Sequence, residues 1–315
     1  MAHRVIMLVA RAVAAVIVPV SGRLTNHTGF DSAPRYSPDS SKIAWIAERD
    51  GNVAANELYV MASDGTSQAA IRLDALRTLP SWSPDNSKLA YVVEGAADSL
   101  AVVNADGTGY LNLVMETRDI RQPKFSPDGT KILYRYEQAP GNTEIYVVNV
   151  DGTGKTRLTN NTVNDGDPSW KPDGSKIVWV RDGRVWHMNA DGSSPAQLYG
   201  FSGASHPTYS PNALKIAFLL STGKLMVMNA DGTGLLEIVA SGVDISSPPA
   251  WSPDSSKIAY SRSNQIWRIN ADGTGATQLT SSTGANTQPH WSGDGSMIVF
   301  TSTRDGNSEI YAIEP

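Results

Sequence analysis

One element recurs seven times along this chain, and it constrains the fold more than any other feature. An aromatic residue, a Ser-Pro-Asp turn or a close variant, and an apolar run begin at Tyr36, Trp82, Phe125, Trp170, Tyr209, Trp251 and Trp291. The spacings are 46, 43, 45, 39, 42 and 40 residues. Each copy continues through two further apolar runs around an Asn-Ala-Asp-Gly-type turn, as in Ile266 to Gly275, and leads to a segment such as Gln278-Leu279-Thr280. A period of this length means one supersecondary unit stacked against copies of itself.

Turn chemistry makes the unit four short strands. Pro presets φ and Asp hydrogen-bonds its own backbone in the first turn, and Gly supplies a positive φ in the second. Ile, Val, Tyr, Trp and Leu alternate with polar residues between the turns, and no segment sustains a helical period. Four strands per repeat imply an all-β fold, a seven-bladed β-propeller of four-stranded antiparallel blades over residues 21–315. The seven repeat-opening aromatics are expected to pack between blades. The last copy stops after Ile310 to Ile313, while Gly22-Arg23-Leu24-Thr25-Asn26 matches the fourth strand at Thr156-Arg157-Leu158-Thr159-Asn160. The N-terminal strand is therefore expected to close the ring, which removes an open sheet edge.

The aromatic-Ser-Pro-Asp element, the Arg304-Asp305-Gly306-Asn307-Ser308-Glu309-Ile310-Tyr311 element and the Asn-Ala-Asp-Gly-Thr-Gly turn resemble TolB-type propeller repeats. The resemblance spans about residues 21–315. TolB proteins are periplasmic, carry an α/β domain ahead of a six-bladed propeller, and bind the lipoprotein Pal and the Tol system. The resemblance implies a non-enzymatic scaffold in the periplasm or another extracytoplasmic space that binds a protein or peptide. This chain departs from TolB in having seven repeats, and is expected to lack the preceding α/β domain.

Composition narrows the function classes. A net charge of −5 argues against nucleic acid as a partner, because such binding needs a basic face to displace counterions. The absence of Cys removes disulfides, thiolate catalysis and Cys-ligated zinc. Residues 1–20 read either as a signal peptide, with Val20-Ser21-Gly22 as a small-residue cleavage site, or as a strand extension entering the fold. The nine-residue apolar stretch Ala12 to Val20 is far short of a membrane span, so an integral membrane protein is not expected. The expected state is a monomer.

Catalytic motifs are weak. Asn149 to Thr156 nearly matches a phosphate loop, but Asn149 stands where Gly is required and the segment is one copy of the repeating turn. The Asn/Asp-rich turns lack the third oxygen ligand and distal Glu of a calcium loop. No Gly-x-Ser-x-Gly nucleophile turn occurs. No catalytic residue, metal ligand or cofactor is assigned.

The positions around each first-strand Pro offer more. Strand alternation groups the residue before the Pro with the one after it at one mouth of the central channel. These pairs differ between blades, whereas the Pro and the aromatic recur. The candidate ligand-binding residues are Arg35, Gln122, Lys124, Asp167, His206, Gln288 and His290. The loops between second and third strands flank the same mouth. They are longer in blades 1, 3 and 7 (Glu48 onward, Glu137 to Thr143, Thr303 to Ser308) than in blades 4 to 6, so a lopsided bowl is expected. Gln288-Pro289-His290 also resembles oligogalacturonate lyases, seven-bladed proteins that use His and Gln around a metal. That resemblance implies a second reading, a metal-dependent polysaccharide lyase or related carbohydrate-active enzyme.

Overall fold

The structure is a computed structural model and describes residues 22–48, 56–72, 76 and 78–315. The leader-or-strand segment 1–20 and the tip of the blade 1 loop lie outside the described residues. The described residues form 28 strands and no helix, in seven four-stranded antiparallel sheets. Six sheets are sequential meanders, such as Asp31–Tyr36, Lys42–Glu48, Asn56–Ala62 and Ala69–Arg72 in blade 1. The seventh joins Asn286–Trp291, Ile298–Ser302 and Glu309–Ile313 to Gly22–Arg23 from the other end of the chain. No described helix is long and apolar enough to cross a membrane.

The repeat dictates its own turns. In blade 1 the Ser40 N–H donates to the Ser37 carbonyl at 2.9 Å, Ser37 Oγ donates to Asp39 Oδ1 at 2.6 Å, and Lys42 N–H donates back to Ser37 Oγ at 3.0 Å. The turn between third and fourth strands is equally self-contained. Asp106 accepts from both Thr108 N–H and Thr108 Oγ1, and Gly107 holds φ at 86°. The Asp oxygens that resemble half a calcium loop are thus committed to the turn itself.

Ring closure follows the Arg-Leu-Thr match. Gly22 pairs with Ala312 and Arg23 with Tyr311, and Leu24 N–H donates to the Ile310 carbonyl at 2.8 Å. The match has a physical basis in a buried glutamate. Glu309 accepts from Arg23 Nη2 at 2.7 Å, Thr25 Oγ1 at 2.6 Å and His27 N–H at 2.8 Å. In blade 3 Glu144 is held in the same way by Arg157, Thr159 and the Asn161 N–H.

The core differs from the expectation at one blade. Six of the repeat-opening aromatics are buried, but Trp170 is only half-buried. The deepest ring lies one strand further out. Trp45, Tyr91, Tyr134, Trp179, Phe218, Tyr260 and Phe300, each nine residues beyond a repeat-opening aromatic, are fully buried. Hydrophobic clusters built on them run from blade to blade, one joining Ala44 and Leu58 of blade 1 to Trp82, Leu89 and Tyr91 of blade 2. Blade 3 carries its extra residues as strand rather than loop. Lys131–Ala139 and Asn142–Asn149 run on past their neighbours to a tight turn at Gly141, where φ is 73°.

Candidate functional site

The first strands surround a central cavity of about 850 Å³. Its wall is written by the x-Pro-x-aromatic segment of each blade. Pro34, Pro80, Pro123, Pro168, Pro207, Pro249 and Pro289 are all buried, and they hold the backbone at the same level around the ring. The residues after them project into the lumen: Arg35, Ser81, Lys124, Ser169, Thr208, Ala250 and His290.

The residues before the prolines behave differently. Alternation predicts that they point the same way as their partners, but five blades carry a β-bulge between the two. The register shifts between Ser32 and Arg35, Arg121 and Lys124, Gly166 and Ser169, Ser205 and Thr208, and Thr287 and His290. The bulged residue takes a left-handed conformation, with φ of 61° at Ala33, 59° at Gln122, 50° at Asp167, 51° at His206 and 58° at Gln288. Side-chain direction is thereby reset.

Three of these side chains, those of Gln122, Asp167 and Gln288, reach sideways to the next blade. Gln122 Oε1 accepts from Asp167 N–H at 2.9 Å, while Gln122 Nε2 donates to Asp167 Oδ1. Asp167 Oδ2 accepts from His206 N–H at 2.8 Å. Gln288 Oε1 accepts from Ala33 N–H across the closing seam and from Thr301 Oγ1 of its own blade, each at 3.0 Å. Gln288 N–H in turn donates to Ser247 Oγ of blade 6 at 2.8 Å. A hydrogen-bonded belt therefore runs around much of the mouth. Gln122, Asp167 and His206 still border the cavity, whereas Gln288 does not. Ser247 and Thr301 join the belt, and the sequence offered no signal for either.

A second belt lies just below. Trp82 Nε1 donates to the Arg35 carbonyl at 3.0 Å, Trp170 Nε1 to that of Lys124 at 3.3 Å, Trp251 Nε1 to that of Thr208 at 3.3 Å, and Trp291 Nε1 to that of Ala250 at 3.1 Å. Where the next aromatic is Tyr36 rather than Trp, its backbone N–H donates to His290 Nδ1 at 3.3 Å. The imidazole proton accordingly sits on Nε2 when His290 is neutral.

Three basic groups converge in the lumen, and their proton affinities show it. Burial pushes Arg35 down to about 10. Lys124 is pushed down to about 8, first by its enclosure and then by the Arg35 charge, with Asp167 opposing. His290 is pushed down to about 3 by burial, Arg35 and Lys124, so it is neutral at physiological pH. The Lys124 side chain is exposed to water in the lumen while protein walls it on every side.

This arrangement makes a stability prediction with a definite sign. An amine at about 8 in the fold and 10.5 when unfolded is protonated in both states below pH 8, where its penalty is fully present. Between those values the unfolded chain holds a proton that the folded chain has shed, so stability rises with pH across that window. Lys124→Met should therefore be more stable than the parent at pH 7, by roughly 1 kcal/mol once lumen water has screened the repulsion. The advantage should shrink as pH passes from 8 to 10. Paired thermal melts test this, and a variant less stable than the parent at pH 7 counts against it.

The chain matches the TolB beta propeller domain over residues 40–233 and 184–315. It belongs to that family. A TolB homologue from Chlorobium luteolum is 30% identical over 131 residues, covering 39% of this chain and 30% of the relative's length. This TolB-type chain thus spans less than a third of that relative. TolB from Acinetobacter baumannii superposes with a TM-score of 0.63 at 22% identity, covering 81% of this chain and 67% of that one. Oligogalacturonate lyase from Vibrio parahaemolyticus superposes with a TM-score of 0.76 at 14% identity, covering 93% and 92%. At such identities the likeness is one of fold. The metal set implied by the lyase resemblance does not fit this lumen. Gln288 and His290 already accept blade 1 N–H groups, and Arg35 and Lys124 stand where they would repel a cation. Among the described residues no three His, Asp or Glu side chains gather as ligands.

Proposed function

We propose that this TolB-type propeller is a non-enzymatic, extracytoplasmic scaffold that binds a polypeptide across its channel mouth. One observation carries the reading. The loops entering the first strands lie on one face of the ring and hold large apolar side chains out to solvent: Phe30 at 55% exposure, Val163 at 38%, Phe201 at 74% and Ile245 at 42%. Exposed apolar side chains on the loops of one face are the kind of anchor in which protein interfaces concentrate their energy. The extracytoplasmic location follows the family resemblance, in which TolB proteins are periplasmic.

The test replaces Phe30, Phe201 and Ile245 together with Ser and measures retention of proteins from a cell-envelope extract. Leu214, exposed on a hairpin turn at the opposite face, is the control. The mouth variant should fold normally and lose the proteins that the parent and Leu214→Ser retain. Capture of the same set by all three would defeat the reading. Metal content of the purified protein separates the lyase alternative, which requires a bound divalent ion.

A further inference from the structure

Two cations share one lumen with no ion pair of their own among the described residues. Arg35 makes one hydrogen bond among the described residues, from Nη1 to the carbonyl of the adjacent Pro34 at 3.0 Å, and no ion pair. Lys124 Nζ makes neither. The acid that faces them, Asp167, has both oxygens engaged, by Gln122 Nε2 and by His206 N–H. The opposite wall is small, with Ser169, Thr208 and Ala250, so the space in front of the cations is open. The fold gains nothing from this arrangement. Like charges held together at the cost of stability mark a site built for something else.

We propose that the lumen is a carboxylate-binding site, in which Arg35 and Lys124 grip one carboxylate of the polypeptide docked at the mouth. The proposal rests on the docking reading above and names the group recognised. Charge balance selects a monoanion, since two cations against Asp167 leave one net positive charge. A planar guanidinium complements a planar carboxylate. The neutral His290 offers its Nε2–H as a third donor. A polyuronate would need further cations along the wall. The wall beyond the pair carries Ser169, Thr208, Ala250 and proline rings, and Arg121 at the rim is already paired with Asp119 at 2.8 Å. A chain terminus or an acidic side chain brings a single charge.

The test follows the Lys124 side-chain signal by NMR in protein labelled at lysine Cε, assigned through Lys124→Met. Probes are butyrate, inorganic phosphate, trigalacturonate, and tetra-alanine with either a free or an amidated C-terminus. Butyrate and free-acid tetra-alanine should shift the signal saturably, and the amide should not. If butyrate binds but the free-acid peptide does not, the group recognised is an acidic side chain rather than a chain end. Arg35→Met should weaken butyrate at least tenfold, and Arg35→Lys, which keeps the charge and loses the fork, by less. Affinity should fall as pH rises past about 8, because Lys124 then sheds its proton. Arg35, Arg121, His206, His290 and Asp167 also face it. No shift with any carboxylate overturns the proposal, as does equal response to acid and amide or tighter binding of phosphate or trigalacturonate than of butyrate. The Phe30, Phe201 and Ile245 variant should bind butyrate as the parent does, so failure of the lumen site and failure of mouth docking are read separately.

Discussion

Deleting residues 22–26 is expected to abolish the stable monomeric ring. The segment supplies the fourth strand of blade 7, so its loss bares the Glu309–Ile313 edge and opens the seam against blade 1. It also strips a fully buried carboxylate. Glu309 is 0% exposed and depends on Arg23, Thr25 and the His27 N–H, with Asn307 Nδ2 as a further donor at 3.0 Å. Removing the partners of a buried charge costs about 3–5 kcal/mol before any lost strand pairing is counted. That is a large part of the roughly 5–15 kcal/mol available to a folded domain. Denaturant titration and sedimentation should show a lower midpoint and association, and parent-like behaviour in both would refute the closure.

The same group gives the milder test a pH signature. Burial works to raise the Glu309 carboxyl, but hydrogen bonds from Thr25, His27, Arg23 and Asn307 outweigh it and hold it below the ordinary 4.5. Its contribution is present above that ordinary value and fades as pH falls through the folded one. Glu309→Gln should be less stable at neutral pH and lose part of the parent's acid sensitivity.

The features legible in the sequence are those that local chemistry dictates. Ser37, Asp39 and Lys42 close their turn among themselves, and the Asp-Gly-Thr turns do likewise, so strand count and blade count follow from spacing. Closure was legible because Arg23-Leu24-Thr25 repeats Arg157-Leu158-Thr159, although the buried Glu309 and Glu144 that explain the match emerge only in three dimensions. The lumen was legible by half. The residues after each Pro do face the axis. The residues before it were placed beside them by alternation, and a left-handed bulge invisible to that rule turned Gln288 away and tied Gln122 and Asp167 to neighbouring blades. Burial of the repeat-opening aromatics was judged rightly at six blades and wrongly at Trp170, and the deeper ring went unread. The aromatic that opens each repeat draws the eye, yet a second aromatic stands nine residues after every one of them, and that regularity was available from the sequence.

Trp179 is where the second ring's importance can be measured, with Trp170 as its internal comparison. Trp179 is 0% exposed, and its Nε1 donates to Asp165 Oδ1 at 2.8 Å. Asp165, itself buried, also accepts from Arg181 Nε at 2.9 Å and Nη2 at 3.1 Å. The Arg181 guanidinium lies 5.3 Å from the Trp179 ring and 4.9 Å from that of Trp186. Trp179→Ala therefore opens a cavity, removes one donor from a buried carboxylate and lets water onto an ion pair. The expected loss is about 3–5 kcal/mol. Trp170 is half-buried and its indole makes an exposed bond to the Lys124 carbonyl at 3.3 Å, so Trp170→Ala should cost about 1 kcal/mol. Trp179→Phe, which keeps most of the ring and loses the donor, should fall between them. Denaturation midpoints at constant slope give the order directly. Equal losses for the two alanine variants would place the inter-blade core back at the first strand, and the lumen belt would then carry stability as well as shape.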